Sequence, residues 1–170
     1  MKIAFGTIGI LRQLAGHPEV QGFIDRIGAV YEHAEQSSGF LDRSRRDIEA
    51  WSQSWGEVVP PKFVGEVDPR QVVFSLSTWK DLESVAAYAY RGAHGEALGQ
   101  RRDWIDPTDT PIYVAWWVED DHQPTFREAA ARMDELHENG STARAFDFKQ
   151  PYDSAGQRVS LDSTKVRAAH

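Results

Sequence analysis

Thr78-Trp79-Lys80-Asp81-Leu82 opens the stretch that decides this fold; it runs on through Tyr90, Arg91 and His94 to Trp104, turns, and ends Ile112-Tyr113-Val114-Ala115-Trp116-Trp117-Val118. Thr78 is suited to cap a helix, with Asp81 three residues on in the place of a capping-box acid. Leu82, Val85, Ala86, Ala89 and Ala93 then recur at helical spacing and predict a long helix with one buried stripe. Asp106-Pro107-Thr108-Asp109-Thr110-Pro111 is a turn by composition. The run 112–118 is the most apolar in the chain and reads as a central strand. Immediately before Thr78, residues 71–77 alternate Val72, Phe74, Leu76 against Val73, Ser75, Ser77, a strand with one buried face. The stretch is therefore strand, helix, strand.

Working outward, residues 2–11 form another apolar, β-branched strand, in which Gly6 and Gly9 suggest a bulge or a close backbone approach. Pro18 suits a first helical turn, and Val20, Phe23, Ile24, Ile27, Val30, Tyr31 and Ala34 draw one apolar helix face. Ser37-Ser38-Gly39 stops it, and residues 39–41 begin a short strand. A long insertion follows at 43–70, carrying Arg43, Arg45, Arg46, Trp51, Trp55 and Val58-Val59-Pro60-Pro61; its tryptophans can cap the core, form a lid, or make a dimer contact. After a loop at 120–124, Thr125 or Pro124 opens a further helix with Ala129, Ala130, Met133 and Leu136 inside and Asn139-Gly140 as its stop. Ala145-Phe146-Asp147-Phe148 is a short strand, and residues 153–170 read as a polar, loosely held tail.

Two β-α-β units with helices on one face of an antiparallel sheet make an α+β, ferredoxin-like plait, spanning 1–152 as a single domain. Both sets of alternate residues in the central strands are apolar, so a second copy of the chain is expected over the other face, giving a homodimeric α/β barrel.

The chain has 170 residues and a net charge of −7, which argues against a general nucleic-acid binder. It has no Cys, so disulfides, thiolate catalysis and cysteine-ligated metal centres are excluded. No apolar run approaches the roughly 20 residues of a membrane-spanning helix, and the first residues lack a signal-peptide layout, so a cytoplasmic location is expected. There is no phosphate loop, dinucleotide fingerprint or nucleophile elbow. His33, His94, His122 and His137 are dispersed, so no metal site is expected from spacing.

On one continuous helix Tyr90, His94 and Leu98 stack at four-residue steps, with Arg101 seven beyond His94 and Arg91 three before it. This edge is the candidate catalytic group: His94 as base, Tyr90 to orient a substrate oxygen, Arg91 or Arg101 to hold the resulting anion. A histidine satisfied by a backbone carbonyl is the structural alternative. Gly92, Gly95 and Gly99 each cost about 1 kcal/mol in a helix and suggest that a ligand, a flat cofactor or a second subunit approaches closely. Trp79, Trp104, Trp116, Trp117 and the loop residue His122 are candidate substrate-binding residues, although aromatics are core formers first.

Ser75-Leu76-Ser77-Thr78-Trp79, Tyr90-Arg91-Gly92-Ala93-His94, Arg101-Arg102-Asp103-Trp104, Trp116-Trp117-Val118, His122-Gln123-Pro124-Thr125 and Ala145-Phe146-Asp147-Phe148 together resemble the bacterial domain of unknown function 3291 (DUF3291) family, of the dimeric α/β-barrel superfamily, from about residue 2 to 152. More distantly, the helix resembles its counterpart in antibiotic-biosynthesis monooxygenases and in haem-degrading enzymes of that superfamily. The resemblance implies a small-molecule enzyme acting on an aromatic or polyketide-like substrate without a cofactor, as an oxygenase, cyclase or isomerase. It also implies two alternatives: a haem protein with His94 as axial ligand, and a non-catalytic dimeric binding protein.

Overall fold

A computed structural model describes residues 1–47 and 52–169. Its elements are strand β1 (Lys2–Ile10), helix α1 (Pro18–Gln36), strands β2 (Phe40–Arg43), β3 (Arg46–Asp47), β4 (Ser52–Gln53) and β5 (Val72–Trp79), helices α2 (Leu82–Tyr90) and α3 (Gly92–Gln100), strand β6 (Tyr113–Val118), and helices α4 (Phe126–Asn139) and α5 (Ser163–Ala168). Trp51 falls outside the described residues, as do the side chains of Ala93 and Leu98.

The main sheet has the order β2-β5-β1-β6, with β1 antiparallel to both neighbours. This is the ferredoxin-like order expected, in which each helix crosses over one strand. β3 and β4 form a small ribbon inside the insertion. The register places Ile3 beside Trp79 and Trp117, and Thr7 beside Ser75 and Tyr113. Because side chains alternate along a strand, each of these rows lies on one face.

That face carries Ile3, Phe5, Ala115 and Trp79, packed with Val30 and Ala34 of α1 and with Leu82, Val85, Ala86 and Ala89 of α2. The opposite face carries Ala4, Ile8, Phe74, Leu76, Val114, Trp116 and Val118. It was expected to await a second copy of the chain, with all helices on the first face. Instead α4 lies there, with Phe126, Ala129 and Met133 fully buried and Trp55 of the insertion packed beside them. Gly6 lets α4 come close: a Cβ on it would sit 3.4 Å from that of Ala129. Fully burying Phe126 or Met133 stabilises by about 1.5–3 kcal/mol each. The apolar second face that suggested a partner is thus filled by the chain itself.

Three sequence expectations shift in detail. Thr78 remains in β5 rather than capping the next helix; Asp81 caps α2 itself, accepting from the Ser84 amide at 2.8 Å. Residues 145–148 make only isolated bridges, Ala145 with Thr142 and Phe146 with Ala115, the latter along the outer side of β6. The tail is packed rather than loose: Val159, Leu161 and Val166 lie against the α2 side of the core. At the other end of α4 the reading holds, with Thr125 as N-cap and Gly140 as C-cap. Among the described residues, no helix is long and apolar enough to cross a membrane.

Candidate active site

The core beneath α1 comes in two parts. At one end Phe23 packs with Leu11, Val20, Trp104, Val73 and Ile105. At the other end Val30 packs with Ile3, Trp79 and α2. Ile27 lies between Phe23 and Val30 on the same helix face, yet it belongs to neither cluster and is only half-buried. Between Val73 and Trp79, the same face of β5 carries Ser75 and Ser77. Among the described side chains, the packing under α1 therefore breaks in the middle, with Ile27 on the helix and hydroxyl side chains on the sheet.

Thr7, Ser75 and Ser77 belong to the two inner strands and face a helical layer, yet all three are half-buried. Each keeps part of its surface open to water. Thr7 Oγ1 and Ser75 Oγ form a hydrogen bond at 2.7 Å. Ser77 Oγ accepts from Trp79 Nε1 at 2.9 Å and donates to the Phe5 carbonyl at 3.4 Å. In the same row as Thr7, the Tyr113 ring stacks on Phe148 with centroids 5.1 Å apart. Its hydroxyl accepts from the Phe148 amide at 3.2 Å and pairs with the Tyr90 hydroxyl at 3.2 Å. Burial, and then the bond to Tyr90, push the Tyr113 phenol well above the usual tyrosine range, so it stays protonated.

One wall is an aromatic stack. Trp79, with 0% exposure, stacks on Tyr88 at 4.8 Å, and Tyr88 lies 4.6 Å from the His94 ring and 5.6 Å from that of His33. His94 is half-buried, and its Nδ1 lies 2.8 Å from the Ala89 carbonyl oxygen. A carbonyl only accepts, so Nδ1 carries the proton and Nε2 of the neutral ring keeps its lone pair. Burial lowers the His94 pKa below 6.5, and the charge of His33 lowers it further against the opposing pull of the Ala89 carbonyl. The imidazole is thus a neutral ring with a bare nitrogen. Behind the wall, Arg43 lies over the Tyr31 ring at 4.1 Å, and burial raises the Tyr31 phenol.

The expected catalytic edge is not assembled. Arg91 takes an extended conformation and Gly92 a φ of +53°, so the helix is interrupted between Tyr90 and His94. Four-residue spacing across that interruption no longer means one face. Tyr90 turns to Tyr113, while His94 lies on Tyr88. Arg101 sits in the 3₁₀ turn beyond α3. Neither Arg91 nor Arg101 is among the groups that shift His94.

The glycines have local causes. A Cβ at Gly92 would meet the His33 ring at 2.6 Å, one at Gly95 would meet the Tyr90 carbonyl at 2.6 Å, and Gly99 is exposed. The clearance that suggested a flat macrocycle beside His94 is taken up by the chain's own atoms. The residues present do not fit haem there. Among the described residues, no group of three or more His, Asp or Glu is placed to hold a metal ion.

Of the tryptophans, Trp79 is wholly buried in the cluster at one end and Trp104 is buried in the cluster at the other, with Arg26 stacked 4.9 Å over its ring. Trp116 points to the other face and donates to Glu128 Oε1 at 2.9 Å. Trp117 donates to the Tyr152 carbonyl at 2.8 Å. With His122, which bonds Glu128 Oε2 at 2.8 Å, Trp117 lines a separate open depression of about 510 Å³ at the surface. Sequence reasoning missed Thr7, Ser75, Ser77 and Tyr113. The available signal was the order Val73-Ser75-Ser77-Trp79 on one strand face, hydroxyls held between two bulky residues.

The chain matches the family described as domain of unknown function (DUF3291) over residues 2–162. It belongs to that family. The match reaches beyond Tyr152, into the tail that packs on α2. No curated protein matches this DUF3291 chain. Among solved structures, a conserved protein from Methanosarcina mazei Go1 is similar at 12% identity, covering 70% of this chain and 94% of that one, with a TM-score of 0.47. A protein from Shewanella oneidensis is similar at 6% identity over 67% and 85%, with a TM-score of 0.42. A proposed antibiotic biosynthesis monooxygenase from Chloroflexus aurantiacus J-10-fl is similar at 12% identity over 72% and 98%, with a TM-score of 0.41. These likenesses are too distant to bear on activity.

Proposed function

We propose that this DUF3291 chain is a small-molecule enzyme of biosynthetic type, taking an aromatic or polyketide-like substrate into the break under α1. The observation that carries this reading is the interrupted core: among the described side chains Ile27 joins neither cluster, Thr7 and Ser75 are half-buried on the sheet face below, and buried aromatic residues lie at either end. Pockets for flat apolar molecules have this composition, mostly apolar with a few placed polar groups.

His94 is the proposed base. Its Nε2 takes a proton from an acidified O–H or C–H of the substrate; the electron pair stays on the substrate as a phenolate or enolate, and the ring becomes imidazolium. Because burial disfavours that imidazolium, the base stays neutral at pH 7 but suits only substrates already acidic. The anion then reacts with dioxygen in an oxygenase outcome, or closes a ring or returns a proton elsewhere in a cyclase or isomerase outcome. We also propose that two copies associate as a homodimer, as the superfamily resemblance implies; a monomer mass in sedimentation rejects this.

The test is turnover of a panel of phenolic and polyketide-like substrates by wild type and His94→Ala, followed by absorbance and by oxygen uptake. The base role predicts a loss of about 10²–10⁴-fold with unchanged circular dichroism. Equal rates in the two proteins reject it.

A further inference from the structure

Resting on the reading that a small molecule occupies the break under α1, we infer that this molecule presents a neutral carbonyl oxygen, of the ketone or quinone class, to the hydroxyl pair of Thr7 and Ser75, which selects it. The inference comes from counting protons. Thr7 Oγ1 and Ser75 Oγ are 2.7 Å apart and share one hydrogen bond, whichever donates. Two hydroxyls have two protons, so one is left over. Ser77 does not take it: its hydroxyl accepts from Trp79 and donates to the Phe5 carbonyl, and neither Thr7 nor Ser75 bonds to it. Among the described residues, neither Thr7 nor Ser75 has another side-chain bond.

The spare proton therefore lies on the half-buried sheet face that the helices cover. It asks for an acceptor from below an otherwise apolar body. A carboxylate or phosphate would need a cation, and this row of the sheet offers Tyr113, Thr7 and Ser75, all neutral. The three cross adjacent strands roughly 4.8 Å apart. The row thus puts the donor beside the ring cluster of Tyr113, Phe148 and Phe5, in which Phe148 stacks on each of the other two. A planar ring ketone meets both demands, with its ring against the stack and its oxygen over the pair.

A matched pair of probes tests this: α-tetralone, a fused-ring ketone, and tetralin, the same rings without the oxygen. Calorimetric titration is made of wild type, Thr7→Val/Ser75→Ala, Thr7→Ala/Ser75→Ala and Ile27→Trp. Thr7→Val keeps the side chain's shape, and the second pair, which likewise removes both hydroxyl protons, carries the comparison should the first not fold. Wild type should bind the ketone about tenfold more tightly than the hydrocarbon, as one hydrogen bond to a buried site allows. Loss of the hydroxyls should bring that ratio close to one while leaving tetralin binding unchanged. Equal affinities in wild type, or an undiminished ratio in the variants, overturn the selection by Thr7 and Ser75 and leave the break under α1 standing as a site. Binding of neither probe, or binding that Ile27→Trp does not block, overturns the break as the site and this inference with it.

Discussion

His94 donates its Nδ1 proton to the carbonyl of Ala89, 2.8 Å away, across the point where α2 gives way to α3. That carbonyl lies near the end of α2, where oxygens lose their helical partners. The ring thus closes a helix end and, by doing so, fixes which of its nitrogens is bare.

The same bond gives a pH signature. Burial holds the folded-state pKa of His94 below 6.5, with His33 adding to the effect. Between that lowered value and 6.5 the unfolded chain binds more protons than the folded one, so stability falls as pH falls through this window. Urea denaturation of wild type should show this loss on acidification, and His94→Gln should show a shallower one. In a rate profile, the acidic limb of kcat/KM should lie below pH 6.5.

Glycine substitutions should separate backbone strain from crowding. Gly92→Ala meets both a φ of +53° and the His33 ring at 2.6 Å; a loss of about 2–3 kcal/mol is expected, a fall in Tm of roughly 4–12 °C. Gly65→Ala has a φ of +70° with nothing within 4 Å, and should lose only about 1 kcal/mol. Gly28→Ala, in open space on α1, should gain about 0.5–1 kcal/mol. Thermal denaturation of the three ranks them.

Met133→Ala probes the second face of the sheet. With 0% exposure and α4 packed on β1, β5 and β6, it should cost about 2–5 kcal/mol, depending on how far the site collapses. A loss below about 1 kcal/mol would mean that α4 does not seal that face.

Ending the chain after Tyr152 tests the tail. Val159, Leu161 and Val166 are partly buried against the α2 side of the core, each contributing about 1 kcal/mol at that degree of burial. The shortened chain should melt several degrees lower. An unchanged Tm would return the tail to the loose segment its polarity suggests.

Much of the fold was legible in the sequence because its signals are local. The alternation of residues 71–77, the apolar run 112–118, the α1 stripe and the Thr125 and Gly140 caps each follow from chemistry within a few residues. What escaped was tertiary. Gly92 reads equally as a close approach or as a stop; the His33 ring that decides the matter comes from another helix. That one glycine separates Tyr90 from His94 and dissolves the catalytic edge drawn on a continuous helix. Likewise Ser75 and Ser77 read as a solvent face, and they are wetted, but beneath helices rather than outside them. The apolar side of α4 was visible in Ala129 and Met133, whereas the sheet face it would choose was not.

The bridge between Ala115 and Phe146 has a consequence for association. Each residue donates to the other's carbonyl, at 2.9 and 3.0 Å, so the border of the sheet along β6 is already hemmed. The opposite border, β2, is four residues long, irregular between Phe40 and Asp42, ends in Arg43, and is followed closely by Arg45 and Arg46. Short, kinked and charged borders resist templating by foreign strands. This fold is therefore guarded against runaway fibre growth on both flanks, by capture on one and by repulsion on the other.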